Sequence, residues 1–217
     1  MSKAYSEDDF SVQITEDRSW RLKEISDLKD AAGRADEKLQ RVLLRALTTI
    51  CYAHWEGYVR FAARKYLEHV ALRKFQYDEL DRQFLRNYFL PRLAALATSK
   101  TSITERCALV DDVLNSGDRR YSRVNDDLIN TKANLNSDVF ADICLVCGIA
   151  VEPFAHKSTF LDIVLLKRRN EIAHGEDTFV AVEDLDEITN ETVALMRGFG
   201  DLLENRVHLK EYKVQAA

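Results

Sequence analysis

The sequence predicts an all-α fold, a single bundle of about six or seven helices with one long central helix. Three observations predict it. Apolar residues recur at three- and four-residue spacing through most of the chain, the mark of amphipathic helices. Turn formers are scarce, with 7 Gly and 2 Pro in 217 residues, too few for the tight turns of a β-sandwich. The composition, 46% hydrophobic and 31% charged, suits a globular chain long enough to bury a core without staples. No internal repeat or low-complexity tract is present.

Residues 1–14 are polar and acidic and read as a loose arm, followed by a helical domain over 15–210 and a tail over 211–217. The first helix starts near Thr15, with Glu16 and Asp17 suited to a positive helix start and Leu22, Ile25, Leu28 and Ala32 at helical spacing. Gly33 ends it. Asp36–Arg73 is the longest pattern and, unbroken, would extend about 57 Å. Within it Gly57 costs roughly 1 kcal/mol against Ala, so a close approach by another element is expected there. Tyr77–Thr98 is amphipathic, with Pro91 expected to break it or to start a new short helix. Ile103–Leu114 forms another helix that stops at Asn115-Ser116-Gly117. Residues 117–136 form a long polar loop with room for a short strand or hairpin. Ser137 caps a helix ending at Gly148. A helix beginning at Ser158 or Thr159 ends at His174-Gly175, and Val182–His208 is the last.

The net charge of -5 argues against a general nucleic-acid-coating protein but leaves room for a local basic cleft. The start, MSKAYSEDDF, lacks the apolar region of a secretory signal. No run approaches the roughly 18 apolar residues of a membrane span. Cys51, Cys107, Cys144 and Cys147 therefore read as reduced thiols in a cytoplasmic protein.

The stretch that carries chemistry is Leu161–Gly175, LDIVLLKRRNEIAHG. On a regular helix Asn170 and His174 lie about 40° apart, with Ile163, Leu166 and Ala173 on the Asn170 side, while Arg169 points about 140° from His174. An amide and an imidazole at the edge of an apolar stripe need partners in the core or across an interface. His174 can equally cap the helix C-terminus, where a cation is favourable.

Arg169-Asn170-Glu171-Ile172-Ala173-His174 resembles the R-N-x-x-x-H signature of the HEPN superfamily (higher eukaryotes and prokaryotes nucleotide-binding). More of the chain is similar to one branch, the RiboL-PSP-HEPN group. Tyr52-Ala53-His54-Trp55-Glu56-Gly57-Tyr58-Val59 looks like that branch's A-H-W-E-G element on the long helix. Thr131-Lys132-Ala133-Asn134-Leu135 also looks similar, and the elements come in the expected order over roughly residues 20–205. The resemblance implies an all-helical domain and a metal-independent endoribonuclease without a cofactor, cleaving RNA at a composite site across a homodimer. It also implies a toxin–antitoxin or phage-defence setting and a regulating partner protein. Arg169, Asn170 and His174 would be catalytic. Arg168, Glu171, Lys132 and Asn134 are implied substrate contacts, and His54 a support for the His174 helix. The alternative is a non-catalytic HEPN module that dimerises and binds RNA, nucleotide or a protein.

These residue types suit that chemistry. RNA carries its own nucleophile, the 2′-OH. Histidine can act as acid or base near neutral pH, and arginine offers a permanent fork for phosphate oxygens. Other patterns have plainer readings. Arg168 and Glu171 can be solvated surface charges, and His54 a packed core histidine. Cys144-Leu145-Val146-Cys147 is one C-x-x-C without a second pair, so buried thiols are expected rather than zinc. Arg60, Arg64, Lys65, Arg73 and Lys74 form a basic run, as do Arg119, Arg120 and Arg123. Each is commonly a solvated face, and on the ribonuclease reading one of them is expected to form an RNA-backbone groove.

Overall fold

The computed structural model describes residues 5–98, 101–132 and 134–214. Three long helices make the frame: α1 (Glu7–Arg34), α2 (Glu37–Leu72) and α7 (Asp184–His208). Between them come α3 (Arg82–Thr98), α4 (Ile103–Leu114), α5 (Ser137–Cys147) and the short α6 (Arg168–Ala173). The fold is all-α, and the described residues contain seven α-helices and no strand.

α2 is the central helix. At 36 residues it is about 54 Å long, and its inward faces bury Trp55, Tyr58, Val59, Ala62 and Tyr66. Around Trp55 the rings of Phe140 (5.0 Å between centroids) and Phe199 (6.4 Å) meet it at tilted and edge angles, geometries that suit the aromatic quadrupole. Elements far apart in sequence thus converge on one aromatic centre.

α1 starts eight residues before Thr15. Ser6 accepts from the Asp9 amide and Asp9 accepts from the Ser6 amide, a complete capping box, and the acidic first turn suits the helix dipole. Phe10 and Ile14 are fully buried, so residues 7–14 are helix and core rather than a loose arm; residues 1–4 lie outside the described residues. The expected tail is corrected likewise. Tyr212 is buried against Phe75 and His69, and the Val214 amide donates to the Glu79 carbonyl. Residues 215–217 lie outside the description.

α3 runs through Pro91 without a break, at the cost of the one backbone bond that the missing N–H removes. α4 has the expected bounds. It is capped by Ser102 and Glu105 and lies at the periphery, with Leu109 buried while Ile103, Val110, Leu114 and Cys107 are exposed. The long loop holds no strand among its described residues. It pairs at one isolated bridge, Arg120 with Gln76, and forms a 3-10 turn over Asp126–Ile129. At α5 the cap is Asn136 rather than Ser137. Ser137 instead donates through its amide and hydroxyl to Asp162 (2.7 and 2.6 Å), tying α5 to the helix that follows.

That helix is unusual. Residues 158–173 are helical throughout, but Phe160–Lys167 is wound as a π-helix before α6 continues. The buried residues are Phe160, Leu161, Leu165 and Leu166, two adjacent pairs five residues apart. Bonds from i to i+5 define the π form, so a five-residue apolar repeat keeps one face inward. The uniform 100° projection through this segment therefore fails: Ile163 is about half exposed while Leu166 is buried.

Candidate functional site

Tyr52 and Glu56 sit one turn apart on α2 and face the start of α6. The Arg169 guanidinium lies over the Tyr52 ring, 4.1 Å from its centroid, a cation–π contact in a half-dry setting. One Glu56 carboxylate oxygen is 3.8 Å from Arg169 Nη2, and the other accepts from the Thr131 hydroxyl at 2.5 Å. Arg169 Nη1 donates to Asn170 Oδ1 at 2.8 Å. The Leu135 amide donates to the Tyr52 hydroxyl at 2.6 Å, and burial pushes that phenol's pKa up, so the ring stays neutral under the cation. Arg169 is thus held by three groups, and the loop at Thr131–Leu135 is pinned to the same two α2 residues.

His174 occupies the other end of α6. Its amide donates to the Asn170 carbonyl at 2.9 Å. The helix then closes in a Schellman motif: the Gly175 amide donates to Ile172 and the Glu176 amide to Glu171. Gly175 has φ +84°, a left-handed conformation that favours glycine. This closure puts His174 at the C-cap of α6, exposed to solvent. Among the described residues no side-chain partner is recorded for its imidazole. Ala173 is exposed too, and α6 buries no residue.

Two ties fix the segment after the helix. Arg41 meets Asp177 (2.5 Å) and Arg45 donates to the Thr178 carbonyl (3.0 Å), so the chain returns along the first turns of α2. Arg168 points away from Arg169. It pairs with Asp184 at 2.7 Å, locking α6 to the start of α7, and is a structural tie rather than an open phosphate contact. Glu171 accepts from Thr178 (3.3 Å) and steadies the turn below His174. Lys132 and Asn134 are exposed on the loop pinned to Glu56, with Lys132 Nζ 3.7 Å from Asp142; Ala133 lies outside the described residues.

His54 does not support the α6 helix. Two residues along a helix lie about 160° apart, so with Glu56 facing α6, His54 faces α1. Its Nε2 is 2.8 Å from Glu24, and the Trp20 ring meets it edge-on at 5.1 Å. Burial lowers its pKa, which keeps it neutral. Support for α6 comes from Glu56 and Tyr52, to which sequence reasoning gave no role. The A-H-W-E-G element now has a reason at each polar position and at its glycine. His54 meets α1, Trp55 fills the core and Glu56 holds Arg169. A Cβ on Gly57 would sit 2.6 Å from the Arg21 guanidinium, so the glycine lets that side chain lie across α2.

Cys144 and Cys147 are both buried. Burial pushes the Cys144 thiol up to about 12 and raises Cys147 as well, which leaves both protonated and unreactive. Among the described residues no three His, Cys, Asp or Glu side chains are grouped to hold a metal ion. No helix there is long and apolar enough to cross a membrane.

Comparison with known proteins returns no matching curated protein and no matching solved structure. The RiboL-PSP-HEPN family description matches residues 16–205, from within α1 to the last turn of α7. HEPN domains as a class point to a nuclease or RNA-related role. That match over most of the chain, on an all-helical fold, makes this protein a member of the RiboL-PSP-HEPN family.

Proposed function

We propose that the protein is a metal-independent endoribonuclease whose site is completed across a two-fold homodimer. One observation carries the reading. α6 presents an arginine held in place by Glu56, Tyr52 and Asn170 at one end and an exposed histidine at the other. In the proposed reaction the 2′-oxygen attacks the adjacent phosphorus as its proton passes to a base. The P–O5′ bond breaks, and the 5′-oxygen takes a proton from an acid. His174 and its copy in the second subunit supply base and acid. Arg169 faces the phosphorane oxygens, where a fixed cation stabilises developing charge. Asn170 keeps the guanidinium oriented. The exposed Ile163 and Ala173 suit a self-complementary interface. The toxin–antitoxin or phage-defence setting and a restraining partner follow from the family resemblance and complete this reading.

The test is incubation with RNA in EDTA and mapping of the cleaved ends. Ends bearing 2′,3′-cyclic phosphate are expected, and their production should be abolished in His174→Ala and Arg169→Ala while the dimer persists. Wild-type-like cleavage by both variants would remove the site. One observation favours the second reading, a HEPN module that binds without cleaving: Arg169 is already engaged by Glu56. On that reading no cleavage occurs at any protein concentration, and RNA or a partner protein still binds.

A further inference from the structure

A groove of about 1030 Å³ opens beside the site on the second half of α2, walled by α1 and by the loop ending at Asn130. It borders the α6 contacts in two ways. Glu56 and Arg60 are four residues apart on one face of α2, about 6 Å along the axis. Asn130 lines the groove, and its neighbour Thr131 is bonded to Glu56. The groove therefore ends beside the residues that hold Arg169.

Its lining is selective. Three of its four cations are already neutralised: Arg21 by Asp17 (2.7 Å), Arg64 by Asp126 (3.1 Å) and Lys65 by Glu68 (3.1 Å). Arg60 is exposed and makes no ion pair or hydrogen bond among the described residues, and of the four carboxylates in the lining only Asp127 is likewise outside an ion pair there. Two aromatic rings, Trp20 and Phe61, join it in the lining. Trp20 is 50% exposed although it sits on the packed α1–α2 face, and the Arg21 guanidinium stacks 4.5 Å from its ring centre. An open indole beside a single free arginine suits an unstacked base with its phosphate. It does not suit a duplex, whose bases are already stacked and whose backbone asks for many free cations.

We propose that this groove binds single-stranded RNA on the strand leading to the cleaved phosphate, with a base stacked on Trp20 and one phosphate on Arg60. The proposal rests on the nuclease reading above and adds the form of the substrate: unpaired RNA, selected by stacking rather than by a broad basic surface. Gly57 is part of the device, because Arg21 lies across α2 to brace the indole only where no Cβ stands.

The test uses the full chain carrying His174→Ala, so that RNA is not consumed, and a fluorescently labelled oligoadenylate of about 8 nucleotides, within the range that single-strand binding domains cover. Trp20→Ala is expected to weaken binding roughly 5- to 100-fold, with Trp20→Phe restoring most of it. Arg60→Ala, at an exposed position that leaves folding intact, should flatten the salt dependence by about 0.7 in the log–log slope, the share of one phosphate. Affinity and salt slope unchanged from the His174→Ala parent in both Trp20→Ala and Arg60→Ala, or equal competition by duplex RNA, overturns the groove. A parallel assay of wild-type cleavage separates the two claims. Cleavage with groove-independent binding sinks the groove alone, whereas groove-dependent binding with no cleavage by wild type sinks the nuclease reading.

Discussion

The two halves of the helix over residues 158–173 are opposites. The π-wound half, Phe160–Lys167, buries four large apolar side chains, and its Asp162 ties down the start of α5. The α half, Arg168–Ala173, buries none and is held from outside by Asp184, Glu56 and the Tyr52 ring. One half is anchored by packing and the other by charge. The division explains how a short stretch can carry polar groups at a surface without fraying, since its position is set by the turns before it.

Substitutions can break this contrast. The largest effect is expected in the packed half. Leu165→Ala removes a fully buried side chain and should cost about 2–5 kcal/mol in a urea titration. A loss under 1 kcal/mol would show that the π segment is not the anchor. Gly175→Ala comes next. A non-glycine residue at φ +84° should cost about 1–2 kcal/mol and shift His174, so RNA cleavage should fall further than stability does. Equal and small losses in both would uncouple the Schellman turn from the site. The smallest change in stability is expected for His174→Ala, within about 0.5 kcal/mol because the side chain is exposed. A destabilisation comparable to that of Leu165→Ala would mean that the imidazole is a packing residue after all.

Much of this was legible before any coordinates. α4 matches its expected bounds because a capping box opens it and Asn115-Ser116-Gly117 closes it, and the long stripe of α2 leaves few alternatives. The start of α1 was missed for a physical reason. Glu7, Asp8 and Asp9 look like a solvated arm, yet the same carboxylates suit a helix start, and Phe10 and Ile14 were the sign of burial. The π winding was hidden because its five-residue repeat resembles a continuous apolar run. Phe160-Leu161 and Leu165-Leu166 carry the signal, and only spacing counted in fives recovers it. At the site, the resemblance implies support from His54, whereas the structure gives that part to Glu56 and Tyr52. Glu56 is a commonplace helix carboxylate until one asks which face of α2 meets α6.

The placement of the thiols has a practical consequence. Cys51, Cys144 and Cys147 are buried and Cys107 on α4 is exposed. With burial pushing the other three thiols upward, maleimide chemistry at neutral pH should modify the native chain at one position. Any two-subunit assembly then carries a matched pair of spin or fluorescent labels without mutagenesis. The distance between them reports how the protomers are arranged, on a helix that carries none of the site residues, so the geometry of assembly can be read without altering Arg169 or His174.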